Sequence, residues 1–243
     1  MTLRADLQRL IDETDEADRR ADALVARLTE EQFHWQPDEG RAWSVAQCLD
    51  HLATMNVVYT KPIGPAIDAA RARGVVGGGP IRPGRVAAWF IRSQEPPVKR
   101  RLRSPKQALP ASSGTREQIL SAFHAAHDRY RDLVRRAAEI DVNRATYPNP
   151  FLPLIRMRVG TALSIIPPHD RRHLWQAEQV IARLKAEGRR LKVEAVRPWD
   201  DGIARADSGM GTWRSESDIT PSSSTVAAYV AGGMHLAVPA VNG

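Results

Sequence analysis

The chain has 243 residues, 42% of them apolar and 26% charged, a globular composition rather than a disordered or collagenous one. No apolar run approaches the roughly 18–20 residues of a membrane span, MTLRADLQRL lacks a signal peptide's apolar stretch, and a single cysteine, Cys48, excludes a disulfide framework or a multi-cysteine zinc or iron–sulfur site; these point to the cytoplasm. Thirty-five basic against 28 acidic residues leave a net charge of +7, which raises a nucleic-acid reading that the distribution of charge must decide.

Leu3, Leu7, Leu10, Thr14, Ala17, Ala21, Leu24 and Leu28 alternate steps of four and three, with Asp, Glu and Arg between them. That stripe predicts a long amphipathic helix seamed against others. Ser44 to Gln47 reads as a capping box opening a second helix, whose stripe is Val45, Cys48, Leu52, Met55 and Tyr59. Cys48 on that stripe reads as a small buried hydrophobe. Pro62 and Pro65 end or kink the helix, and a further helical piece fits Ala66 to Arg73.

Residues 80–110 carry Arg82, Arg85, Arg92, Lys99, Arg100, Arg101, Arg103 and Lys106 against Glu95 alone. The rest of the chain is then 27 against 27, so the basicity belongs to this segment. Its six prolines predict an extended insertion with one short turn at Val86–Ile91. A third long helix runs from about Thr115 to Ile140, opened by a second capping box and striped by Leu120, Phe123, His127, Tyr130, Val134 and Ala137. YPNPFLPLIRMRVG reads as extended. A fourth helix carries HDRRHLWQAEQVIARLKAEG, with Pro167 and Pro168 in its first turn or kinking it before His169, and Gly188 stopping it. Residues 189–243 lack helical period and read as a disordered or weakly packed tail. The whole is all-α: a four-helix bundle over 1–188, with a basic, proline-rich insertion at about 80–110 and a loose C-terminal tail.

Seven histidines are present. His169 and His173 are four apart and project from one helix face, so both imidazoles can reach a common metal. His51 flanks the stripe of the second helix. Three neutral imidazoles from two helices, with no fourth protein ligand demanded, match the open arrangement of a catalytic metal, and cobalt, nickel and zinc all suit such donors. Gln47 and Gln176 are candidates to orient the imidazoles. His127 reads first as a buried histidine bonded to a neighbour and second as a supporting or fourth ligand. Asp170 echoes the glutamate of HExxH but is one methylene shorter, and as a helix N-terminal acid it would favour the dipole without catalysis. His34, His124 and His235 read as solvent-facing or structural. Trp43 and Trp175 read as packing residues.

WSVAQCLDHL (residues 43–52) with HDRRHLWQAEQV (residues 169–180) resembles the DinB/YfiT-like superfamily, over about Leu3 to Leu184 with the basic insertion and the tail outside it. The resemblance implies a bundle of up-down-down-up type, in which one histidine of the second helix and an HxxxH pair of the last hold a divalent metal. His51, His169 and His173 match that triad. Family members include thiol-dependent S-transferases and metal-dependent hydrolases, so a low-molecular-weight thiol as co-substrate, and the transfer chemistry itself, come from the resemblance alone.

Three functions compete. The favoured one is an enzyme whose divalent metal, zinc or nickel, activates water or a thiol against a small-molecule substrate. The alternative is a non-catalytic bundle binding nucleic acid or an acidic partner through residues 98–106, with Lys99, Arg100, Arg101 and Arg103 as contacts; thin aromatic interleaving makes a solvated loop the better reading. A bundle with a vestigial site and an interaction role is the third. An exposed bundle face could support a homodimer, nucleic acid is a less favoured partner, and no membrane is expected as one.

Overall fold

The computed structural model describes residues 3–98, 109–110, 114–152 and 154–188. The contacts predicted for Lys99, Arg100, Arg101 and Arg103, and the C-terminal tail, lie outside them. Seven α-helices and one hairpin follow in order, with a 3₁₀ turn at Asp38–Gly40 between the second and third helices: α1 (Ala5–Val25), α2 (Glu30–His34), α3 (Val45–Thr60), α4 (Ile63–Ala72), α5 (Arg85–Ser93), α6 (Arg116–Ala137), β1 (Thr146–Pro148), β2 (Arg156–Arg158) and α7 (Val159–Ala186). Helices α1, α3, α6 and α7 form the bundle, with α1 and α3 each packed on both α6 and α7.

Capping chemistry sets where three helices begin. Ser44 accepts from the Gln47 N–H while the Gln47 side chain accepts from the Ser44 N–H, and Thr29–Gln32 and Thr115–Gln118 repeat the device on α2 and α6. Each box satisfies two amides that a helix start leaves orphaned. The α2 box lies where no long stripe advertised a helix.

The core divides into two apolar clusters. One joins Leu7 and Leu10 of α1 to Tyr59 of α3, Tyr130 and Val134 of α6, and Val159 and Leu163 of α7. The other joins Ala21 and Val25 of α1 to Val45 and Leu49 of α3, Phe123 of α6, and Ala177 and Val180 of α7. The first cluster takes the beginnings of α1 and α7 and the ends of α3 and α6, and the second takes the reverse. Hence α1 and α7 run one way and α3 and α6 the other, which is up-down-down-up. Between the clusters lies a polar waist of Thr14, His51, Asn56, His127, His169, Asp170 and His173, all buried. Cys48 is fully buried in the second cluster, and burial pushes its thiol well above the ordinary range.

Two expectations need correction. Helix α7 begins at Val159, so Pro167 and Pro168 sit inside it rather than in its first turn. A proline there cannot bond the carbonyl four residues back; for Pro167 that carbonyl is Leu163, which accepts from the Tyr130 hydroxyl at 2.8 Å. The long start also moves Asp170 to mid-helix, so it is no N-terminal acid. The stretch expected to be extended supplies the two strands of a short antiparallel hairpin, Tyr147 opposite Met157, followed directly by that helix. Gly160 in the first turn lets Val142 and Ile81 close in, since a Cβ there would lie 3.1–3.2 Å from their methyls.

The insertion begins with structure. The turn expected at Val86–Ile91 is the nine-residue α5. Phe90 and Ile91 pack on the first cluster. Glu95 then meets Arg171 of α7 at 2.6 and 2.9 Å, and Arg171 reaches Glu13 of α1 at 3.1 Å.

Candidate metal centre

The turns of α3 and α7 that cross at the waist bring His51, His169 and His173 together, and one nitrogen from each lies within 4.8 Å of the others. Their exposures are 2%, 8% and 6%. Ring centroids stand 4.5 Å apart for His51–His173, 4.7 Å for His169–His173 and 5.3 Å for His51–His169. Trp43, just before the α3 cap, lies 4.8 Å from His51 and 5.7 Å from His173, stacked on the latter. It packs, as expected, but against the imidazoles themselves.

Electrostatics keep two of these rings, His169 and His173, neutral. Burial first, then the nearby His51 and Arg172, lower His169 to about 3. Burial and the same neighbours, with His169, also carry His173 well below the ordinary value. A neutral imidazole offers the lone pair a metal requires. His173 Nδ1 lies 3.1 Å from Gln176 Oε1, which fixes Nδ1 as the N–H and leaves Nε2 as the donor. His169 Nδ1 is buried and has no hydrogen-bond partner. Three buried imidazoles from two helices, with His169 and His173 held neutral, fit a divalent ion of nitrogen preference with a coordination position left open.

The remaining candidates sort differently. Gln176 lies within hydrogen-bond reach of His173, the placement an orienting role would need. Gln47 takes the capping role instead: its Oε1 accepts from the Ser44 N–H at 3.0 Å and from Gln36 Nε2 at 2.9 Å. Asp170 and His127 belong to one separate buried cluster. His127 Nδ1 is 2.6 Å from Asp18 Oδ1, and its Nε2 is 3.4 Å from Asp170 Oδ2. Asp170 Oδ1 accepts from Asn56 Nδ2 at 3.3 Å. Arg131 closes the cluster on Asp18 and on Asp15. Burial would lower His127, but Asp170 and Asp18 outweigh it and raise it to about 9. The bonded-neighbour reading of His127 thus holds, with the neighbours charged. His34 pairs with Glu30 and His124 with Asp22, at 3.2 and 2.9 Å; His235 lies outside the described residues.

The sequence model of the DinB superfamily matches residues 13–177. The chain belongs to the DinB superfamily. Among solved structures, YfiT from Bacillus subtilis, described as a probable metal-dependent hydrolase with an unusual four-helix bundle topology, is 16% identical; the match covers 76% of this chain and 91% of YfiT, with a TM-score of 0.49. No curated protein matches the chain. In this DinB-superfamily chain the matched span contains His51, His169 and His173, and all of α3 and α6. Among the described residues no helix is long and apolar enough to cross a membrane.

Proposed function

We propose that the protein is a metal-dependent enzyme in which His51, His169 and His173 hold one divalent ion, zinc or nickel. The observation that carries this reading is the convergence of three buried imidazoles, two of which, His169 and His173, burial keeps unprotonated. A divalent ion there would supply Lewis acidity, drawing the pKa of a water or a thiol toward neutrality. The substrate class is a small molecule, and the reaction hydrolysis or transfer to a low-molecular-weight thiol.

The chain's own residues prepare the site. Gln176 fixes the tautomer and the angle of His173, as a carboxylate or carbonyl behind a ligating histidine commonly does. Trp43 walls two imidazoles against water and holds their planes. The His127 cluster ties α1, α3, α6 and α7 across the waist, so the helices bearing the histidines keep their spacing.

Metal analysis tests the reading. Protein purified without chelator and offered zinc or nickel should retain about one equivalent, and His51→Ala, His169→Ala and His173→Ala should each lose it while remaining helical. Wild-type protein that binds neither ion sinks the proposal. With the ion confirmed, release of product from ester, amide and thiol-acceptor substrates separates hydrolysis from S-transfer.

A further inference from the structure

Helix α5 is two-faced. Its inner face sets Phe90 and Ile91 on the bundle. Its outer face carries Arg85, Val86, Trp89, Arg92 and Ser93, at the three-and-four spacing that keeps residues on one side. Val86 is 80% exposed and Trp89 63%. A large apolar pair therefore sits in water with an arginine at either end of it. Among the described residues no carboxylate pairs with Arg82, Arg85 or Arg92. The one acid of residues 80–110, Glu95, is engaged with Arg171. The positive charge of this face is uncompensated, and the sequence just beyond it, from Lys99 to Lys106, adds five more basic residues.

We propose that the outer face of α5 docks on an anionic lipid surface as a peripheral contact, independent of the metal centre. Charge complementarity selects the occupant. Guanidiniums attract lipid phosphates and carboxylates at the headgroup level, each cation adding to the attraction. Tryptophan suits the same depth, having an apolar body and one N–H donor, and a short amphipathic face with Trp and Arg lies in the interface rather than spanning it. A nucleic acid would use the arginines and could stack a base on Trp89, but would leave Val86 idle. The second exposed apolar feature, Leu152, Leu154 and Ile155 between β1 and β2, belongs to another element and serves as the control.

Sedimentation of the full-length protein with vesicles tests this. Phosphatidylcholine vesicles holding about 30% phosphatidylserine should carry the protein down at low salt, and pure phosphatidylcholine vesicles should not. Raising the salt to about 0.5 M should release most of it. The double variant Val86→Ser/Trp89→Ser and the double variant Arg85→Glu/Arg92→Glu should each weaken binding about tenfold or more. Leu154→Ser should bind as wild type does. Both double variants change exposed positions, and unchanged helical content and melting confirm that they fold. Failure of the wild type to bind anionic vesicles overturns the proposal. So does equal binding by all variants, loss with Leu154→Ser alone, or preference for DNA over vesicles at equal charge concentration.

Discussion

Histidine occupies two settings in the waist of this bundle, one that leaves it neutral and one that makes it a cation. At the triad no carboxylate offsets the burial of His169, and burial, with His51 and Arg172 nearby, drives it down to about 3. One helix away His127 is just as buried, yet two carboxylates face its nitrogens and raise it to about 9. The residues that decide this are adjacent: His169 and Asp170 follow each other on α7 and project about 100° apart, one toward His51 and one toward His127 and Asn56. Burial alone thus sets no protonation state. What faces the ring does, and it separates a lone-pair donor from a structural cation.

The largest expected effect comes from removing a triad imidazole. His169→Ala should abolish zinc or nickel binding, a loss beyond the roughly 10–100-fold typical of supporting residues. Loaded wild type should melt higher than metal-free protein, by an increment that grows with metal concentration, and His169→Ala should show no such rise. A melting temperature that climbs equally in the variant would mean the ion binds elsewhere.

His127→Ala should act in the opposite way, on the fold first. It removes a cation from between Asp18 and Asp170 and leaves buried carboxylate unpaired, a loss on the order of 3–5 kcal/mol. Denaturant unfolding of the metal-free variant measures it. Metal affinity of the fraction that remains folded should change far less than in His169→Ala. Comparable losses in both readouts would merge the two settings into one functional unit.

Sequence pattern carried the bundle well, because stripes and capping boxes are local. The Ser44 and Thr115 caps and the core faces of α3 and α6 appear where the spacing puts them. The triad was legible through the HxxxH spacing together with the resemblance, since four residues fix a shared face. What the pattern missed depends on contacts between helices. Asp18 reads as one of many acids on the polar side of α1, and nothing local says that His127 meets it. Asp170 looked like a helix-start acid because Pro167 and Pro168 look like a helix start; only Tyr130 filling the freed Leu163 carbonyl shows how the helix runs through them. Gln47 fitted two roles, and the cap took it.

The pH dependence of metal-free protein should display both settings as two arms of one curve. A folded-state value near 9 for His127 against an ordinary 6.5 means the native state holds that proton more tightly than the unfolded chain. Its stabilisation is complete below about pH 6.5 and lost as pH climbs through about 9, on the order of 3 kcal/mol in all. His169 has the reverse sign. Its folded value near 3 means the unfolded chain takes the proton first, so stability declines as pH falls from 6.5 toward 3. Chemical unfolding of wild type across pH 4–10 should therefore peak near neutrality. His127→Gln should flatten the alkaline arm between about 6.5 and 9, and His169→Gln should soften the acidic one. An alkaline arm unchanged in His127→Gln would remove the cation from between the two carboxylates.

The smallest expected effect separates orientation from capping. Gln176→Leu removes the acceptor at His173 Nδ1, so the ring loses its fixed tautomer while its burial stays. Metal affinity, measured by competition with a chelating dye, should fall about tenfold, the lower end of what such supporting bonds contribute. Stability of the metal-free protein should stay within about 0.5 kcal/mol, since the position is only half-buried. Gln47→Ala should give the inverse result. It opens the capping box of α3 and costs about 1 kcal/mol of stability, yet it touches no imidazole bond, so affinity should hold. If Gln47→Ala weakens metal as much as Gln176→Leu does, the start of α3 positions His51 as firmly as Gln176 positions His173, and helix entry must be counted among the determinants of the centre.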